Sequence, residues 1–142
     1  MEQGRKRARD ISAQNGHLGV VTALLAAGAA VDQAHNDGRT PLYASAQDGH
    51  LEVVAALLAA GAAVDHVTND EDERFGPVLD ASVDTGPRPL FVAAWRGHTA
   101  VAKLLLEAGA DKTNKTAWGT AAEMAARHGH AELAELLLPG SA

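Results

Sequence analysis

The pattern of apolar and polar positions predicts two short helices in the clearest stretch of the chain. The first begins at Pro41, because Thr40 before it is a common N-cap and proline is well tolerated as the first helical residue. It runs to about Asp48, and the glycine that follows is the residue most often found just past a helix end. The second helix, from Leu51 to Ala60, has one apolar face formed by Leu51, Val54, Leu57 and Leu58.

This two-helix unit recurs along the 142 residues. Each copy has a glycine-histidine pair between an alanine-rich stretch and an aliphatic run, namely Gly16-His17, Gly49-His50, Gly97-His98 and Gly129-His130. Successive pairs are 33, 48 and 32 residues apart, so the middle interval contains an insertion of about 15 residues. Two alanine-rich helices cannot bury their apolar faces on each other alone, so the repeats are expected to stack.

One copy reads Gly38-Arg39-Thr40-Pro41-Leu42-Tyr43-Ala44-Ser45-Ala46, followed by Gly49-His50 and Leu57-Leu58-Ala59-Ala60-Gly61-Ala62. It resembles the ankyrin repeat, a 33-residue unit with a Thr-Pro-Leu-His signature. The resemblance implies an all-α repeat solenoid of stacked helix-turn-helix units joined by short hairpin loops. The single domain then comprises an N-terminal cap repeat (1–32), a second repeat (33–65), a third repeat with the insertion (66–113, insertion at about 66–84) and a C-terminal cap repeat (114–142).

Composition narrows the classes of function. The chain has no cysteine, which excludes disulfides and thiolate metal sites, and no run of about 18 apolar residues that could cross a bilayer. Its net charge of −6 argues against nucleic-acid binding, which needs clustered cations. We therefore expect a cytoplasmic monomer with no cofactor, no nucleic-acid partner and no membrane partner. The basic segment Arg5-Lys6-Arg7-Ala8-Arg9 leaves nuclear import open.

Seven histidines raise the question of a metal site. Four of them belong to the glycine-histidine pairs, so they are expected to form a row along the stack instead of converging on one ion. The acidic run that begins at Asp70 does not match a calcium-binding EF-hand loop, because Arg74 and Phe75 occupy its fifth and sixth positions. No phosphate-binding loop or nucleophile motif is present. The sequence therefore indicates neither a metal site nor an enzyme.

The insertion carries most of the negative charge, because residues 69–84 hold six carboxylates and one arginine. We expect it to attract a basic surface on a partner and to make the association sensitive to salt. Its apolar residues are Phe75, Val78, Leu79 and Val83. They leave two alternatives open: a loop docked on the array or on a partner, and a flexible loop.

The resemblance also implies which residues bind a partner protein through the concave face. The family's variable positions correspond to Gln14, Asn15, Asn36, Asp37, Arg39, Gln47, Asp48, Trp95, Arg96, Arg127 and His128, and the acidic run adds Asp70, Glu71, Asp72 and Glu73. Trp95 with Arg96 has the composition of an interface hot spot. The alternative is that Trp95 covers apolar surface of the neighbouring repeat. Trp118 stands where a hairpin glycine is expected and is predicted to pack against the preceding loop.

The function that the resemblance implies is a scaffold for protein-protein interaction through the concave face and the hairpin loops. The alternative is a structural spacer or a regulatory, inhibitory module. In that alternative the acidic loop 70–84 occupies a basic site on another protein.

Overall fold

The computed structural model describes residues 18–28, 30–32, 39–68, 73–80, 82 and 86–138. In these residues the chain forms seven α-helices, one turn of 3₁₀-helix and a two-stranded hairpin. The helices are α1 (Leu18–Ala26), α2 (Pro41–Asp48), α3 (Leu51–Ala59), α4 (Pro89–Arg96), α5 (Thr99–Glu107), α6 (Ala121–Arg127) and α7 (Ala131–Leu137). The 3₁₀ turn is Glu73–Phe75, and strands β1 (Lys115–Thr116) and β2 (Gly119–Thr120) pair in antiparallel fashion.

Helices α2, α4 and α6 pack side by side as an inner layer, and α1, α3, α5 and α7 form an outer layer behind them. This arrangement confirms the predicted all-α repeat solenoid. None of the helices in the described ranges is long and apolar enough to cross a membrane.

The predicted helix ends are confirmed at α2. Thr40 Oγ1 accepts a hydrogen bond from the backbone N–H of Tyr43 at 3.2 Å, and Pro41 is the first helical residue. Gly49 ends the helix in the left-handed region with φ 75°. In the last repeat Thr120 and Glu123 form a reciprocal capping box. Glu123 therefore stabilises the start of α6.

The core is built mainly from alanine and larger aliphatic side chains. The predicted apolar face of α3 was wrong in one respect. Leu51 is 41 % exposed, whereas Val53 is buried together with Val54 and Leu57. The helix packs against α2 on one side and against α1 and α5 on the others. The buried stripe therefore includes two adjacent positions, and the first residue of the helix lies at its edge.

The inner layer continues without a break across the insertion. His98 Nε2 donates a hydrogen bond to the backbone carbonyl of Gln47 in the preceding repeat at 3.0 Å. The equivalent bond one repeat later joins His130 Nε2 to the carbonyl of Trp95 at 3.2 Å. These two histidines therefore join neighbouring repeats, which agrees with their interpretation as scaffold residues.

The hairpin edge of the stack also keeps its register. Asp32 Oδ1 accepts a hydrogen bond from the backbone N–H of Ala63 at 2.9 Å. At the next junction Asp65 Oδ2 accepts one from the N–H of Asp111 at 3.1 Å. The two carboxylates are 33 residues apart and their donors 48 residues apart, because the insertion lies between the second carboxylate and its donor.

The two ends of the insertion are joined at one place, which we call the neck. They meet where the backbone N–H and Oγ1 of Thr68 both donate to the carbonyl oxygen of Pro87, at 2.9 and 3.1 Å. Thr68 is fully buried there. Gly86 fits beside it because a Cβ at this position would overlap the backbone carbonyl of Thr68. The chain is thus closed at the neck, and the repeats on either side stack as direct neighbours.

Candidate functional site

Phe75 of the insertion is buried against the inner helices. Its ring makes edge-to-face contacts with Phe91, Trp95 and Trp118, at centroid distances of 5.2, 4.8 and 5.1 Å. The Phe75 side chain is 0 % exposed, although it follows the most acidic stretch of the chain. Aromatic pairs in this edge-to-face geometry add stabilisation beyond the area that they bury. We refer to Phe75, Phe91, Trp95 and Trp118 as the aromatic cluster.

Polar contacts attach the same segment to the last repeat. Arg127 donates from Nη1 to the carbonyl oxygen of Phe75 at 3.2 Å and from Nη2 to that of Trp118 at 3.1 Å. The backbone N–H of Leu79 donates to the carbonyl oxygen of Ala117 in the β1–β2 turn at 2.8 Å. Residues 73–80 are therefore docked on the array, which is one of the two alternatives that the sequence left open.

Docking does not bury every apolar residue of the insertion. Val78 and Leu79 are 51 % and 52 % exposed, so the apolar side chain that anchors the described segment is Phe75. Further along, Asp80 Oδ1 accepts hydrogen bonds from the backbone N–H and the hydroxyl of Ser82 at 3.0 and 2.6 Å. These hydrogen bonds lower the pKa of the Asp80 carboxyl. Val83 lies outside the described residues.

Trp95 is 5 % exposed because Phe75 covers it, so its burial favours the packing alternative over direct contact with a partner. Trp118 is 8 % exposed and packs against the insertion, in agreement with the prediction that it contacts a preceding loop. Arg127 spans the insertion and the hairpin. Two of the candidate contact residues thus contribute to the attachment of the insertion.

Two arginines lie over the Trp95 ring. The guanidinium carbon of Arg74 is 5.1 Å from the ring centroid and that of Arg96 is 5.3 Å. The His128 ring meets Trp95 edge to face at 6.4 Å. Together with His130 these side chains line an open depression of about 360 Å³, which we call the cationic groove. Its lining consists of Arg74, Trp95, Arg96, His128 and His130.

The structure brings together only part of the predicted site. Trp95, Arg96, Arg127 and His128 lie around the docked insertion, and Gln47 and Asp48 end the inner helix of the neighbouring repeat, where both are partly buried. Arg39 is partly buried just before α2. Glu73 begins the 3₁₀ turn, but its side chain is not described. The candidates outside the described residues are Gln14, Asn15, Asn36, Asp37, Asp70, Glu71 and Asp72.

Sequence reasoning missed Arg74 as a site residue. Arg74 is the single cation among the acidic residues of the insertion, and it stands next to the apolar Phe75. This combination was the signal that could have identified Arg74. Among the described side chains, no group of three or more His, Asp or Glu residues lies close enough together to hold a metal ion.

Burial lowers the pKa of His98, and the positive charges of Arg96 and His130 lower it further. The hydrogen bond to the Gln47 carbonyl and the charge of Asp48 oppose this shift without cancelling it. The ring is therefore neutral in the folded protein at a pH where the unfolded chain already binds a proton.

We expect the free energy of unfolding to decrease as the pH falls below about 6.5, the unfolded value for histidine, until the lower pKa of folded His98 is reached. His98→Gln keeps a hydrogen-bond donor but does not titrate, so its stability should depend less steeply on pH in this window. Urea denaturation of both proteins at a series of pH values measures the two slopes. Above about pH 7.5 the slopes should agree, and an unchanged slope below pH 6.5 in the variant would contradict the assignment to His98.

A comparison with curated proteins gave no significant match. The family model for ankyrin repeats, which spans three copies of the repeat, matches residues 10–116 and again residues 76–142. The two matches together cover the whole of the described stack and the docked insertion. From this match and from the stacked two-helix units, the chain belongs to the ankyrin repeat family.

Proposed function

We propose that this chain is a scaffold that binds a partner protein through the face formed by the C-terminal ends of the inner helices α2, α4 and α6. Ankyrin repeats generally mediate protein-protein interaction. The observation that carries the proposal is that the docked insertion joins this face. Arg74 from the insertion and Arg96 and His128 from two successive repeats form one accessible surface, next to Gln47 and Asp48.

The docking also bears on the alternative, in which the insertion acts as an inhibitory arm. Residues 73–80 are held by Phe75, by Arg127 and by the hydrogen bond from Leu79. Residues 73–80 could not enter a basic site on another protein without breaking these contacts. This supports a function in which insertion and repeats bind as one surface. A basic partner surface opposite the acidic run 70–73 remains a prediction from the charge pattern alone.

The proposal is tested with a pair of charge-matched double variants. Asp48→Ala with Arg96→Ala removes one acid and one base from the proposed face. Lys103→Ala with Glu107→Ala removes the same charges from exposed positions on the outer helix α5. Each protein is immobilised, and the proteins that it captures from a lysate are quantified by mass spectrometry after thermal melts have verified folding.

We expect a set of proteins that wild type and the α5 variant retain equally and that the face variant loses by about tenfold or more, as for truncated interface anchors. A face variant that retains every wild-type partner would show the proposal to be wrong. A further variant distinguishes the inhibitory arm from the proposed face. In it the four acidic residues are changed to their amides, namely Asp70, Glu71, Asp72 and Glu73. An inhibitory acidic arm should then lose its target completely, whereas the proposed face should keep its partner with a weaker dependence on salt.

A further inference from the structure

The described part of the insertion, residues 73–80, links two neighbouring repeats. Through the neck it is connected to the third repeat, whose inner helix α4 begins at Pro89. Its backbone is bonded to the last repeat, because the N–H groups of Leu79 and Asp80 both donate to the carbonyl oxygen of Ala117, at 2.8 and 3.1 Å. Residues 73–80 therefore lie across the junction between these two repeats, and we call them the strap.

The side chain of Arg127 in α6 also binds the strap. Its Nη1 donates to the carbonyl oxygen of Phe75 at 3.2 Å, and its Nη2 donates to that of Trp118 in the β1–β2 hairpin at 3.1 Å. The fit is close, because a Cβ at Gly76 would lie 3.3 Å from Nη1. One guanidinium thus connects the strap, the hairpin and the inner helix of the last repeat.

Phe75 is the apolar anchor of the strap at the same junction. Its ring contacts Phe91 and Trp95 of α4 on the one hand and Trp118 of the last repeat on the other, and it is fully buried. Separation of the two repeats would expose these aromatic side chains to water, which is unfavourable. The contacts of Phe75 therefore couple the stability of the last repeat to the docking of the strap.

The last repeat is the one that such a link would stabilise most. Its helices α6 and α7 have seven residues each, whereas the other described helices have eight or nine. Helices this short owe their stability to packing and not to their own hydrogen bonds. Helix α6 packs on α4, and His130 donates to the Trp95 carbonyl, but α7 contacts α5 less than the earlier outer helices contact one another. The strap therefore reinforces the repeat whose outer helix is least supported.

We propose that the strap holds the last repeat on the third, so that its release lets α6 and α7 open while the second repeat stays folded. This inference goes beyond the proposed function, because it concerns the free chain. Coupling of this kind is reciprocal. A ligand that binds only the docked strap would stabilise the last repeat, and one that binds only the released strap would open it. Opening would also remove His128 from the proposed face.

Hydrogen–deuterium exchange followed by mass spectrometry tests the proposal on the full chain. In Phe75→Ala we expect residues 121–137 to exchange at least about tenfold faster than in wild type, after correction for intrinsic rates. They should also exchange at least about tenfold faster than residues 41–59 of the same variant, which form α2 and α3. Val78→Ala, at an exposed position of the strap, should change the exchange of residues 121–137 by less than about threefold.

Gly76→Ala is a second variant, which leaves the aromatic cluster intact. Gly76 has φ 97°, so alanine strains the strap and presses on Arg127. We expect the exchange of residues 121–137 to rise by about fivefold or more. If Phe75→Ala did not fold, Gly76→Ala would decide by comparison with wild type.

Two results would overturn the inference. If residues 121–137 and 41–59 exchanged equally in the strap variants, the array would open only as a whole. If residues 121–137 exchanged as in wild type, the strap would not hold the last repeat. No partner protein enters this experiment, so either result would leave the proposed function standing. Conversely, a failure of the lysate capture would leave the strap in place.

Discussion

Phe75→Ala should destabilise the protein by about 3 kcal/mol and shift the tryptophan emission to longer wavelength, because Phe75 is the fully buried centre of the aromatic cluster. The substitution removes the ring that contacts Phe91, Trp95 and Trp118 and leaves a cavity. Partial detachment of the insertion would relieve some of that cavity, so we place the cost at the lower end for phenylalanine truncation. Both tryptophans, now 5 % and 8 % exposed, would then contact water.

Urea denaturation followed by fluorescence measures both effects in one experiment. Val78→Ala is the matched control, because Val78 belongs to the same insertion and is 51 % exposed. It should change the free energy of unfolding by less than about 0.5 kcal/mol and leave the emission maximum in place. If Phe75→Ala behaved like Val78→Ala, the insertion would not be docked on Trp95.

Gly97→Ala should lower the free energy of unfolding by about 3 kcal/mol through two additive effects. Gly97 ends α4 with φ 75°, a conformation that costs other residues about 1 to 2 kcal/mol. A Cβ at this position would also lie 2.5 Å from Cε1 of the His130 ring, so the ring must move. The hydrogen bond from His130 Nε2 to the Trp95 carbonyl would be broken, which adds about 1 to 3 kcal/mol if the carbonyl stays buried without a partner.

Gly109→Ala separates the two effects. Gly109 has φ 98°, and no atom of the described residues beyond its chain neighbours lies within 4 Å of the place that a Cβ would occupy. This variant experiences only the backbone strain, so we expect a loss of about 1 to 2 kcal/mol. Thermal or urea unfolding of the two variants gives the difference directly. Equal losses for both would mean that the contact between Gly97 and His130 contributes little to the joint between repeats.

Most of the fold could be predicted because its signals are local and repeated. Thr40, Pro41 and Gly49 specify the start and end of α2 through hydrogen bonding and backbone conformation, and these effects act within a few residues. Because each repeat packs against a similar repeat, the pattern of one clear copy also predicts how the copies pack. The error at Leu51 arose because helical spacing identifies an apolar face but not which edge of it the neighbouring helices cover.

The site was harder to predict because it depends on where the insertion goes. The sequence predicts Trp95 and Arg127 as contacts for a partner, yet the Phe75 ring packs on Trp95 and the Phe75 carbonyl accepts a hydrogen bond from Arg127. Arg74 joins the groove only because docking carries it to the Trp95 ring. The insertion is joined at Thr68 and Pro87. Between these ends many loop conformations satisfy the backbone preferences of its residues equally well.

By itself, then, the sequence determined the two-helix repeat, the ends of helix α2 and the presence of about 15 extra residues between the second and third glycine-histidine pairs. Short-range hydrogen bonding and the period of apolar residues decide these features. Only the tertiary structure decided that Phe75 enters the aromatic cluster, that Trp95 is covered, and that Arg74 and Arg96 meet over one ring. Phe75 and Trp95 are 20 positions apart in the chain, so their contact lies beyond the few residues over which local sequence patterns act. The stability of such a contact depends on shape and burial that no local pattern encodes.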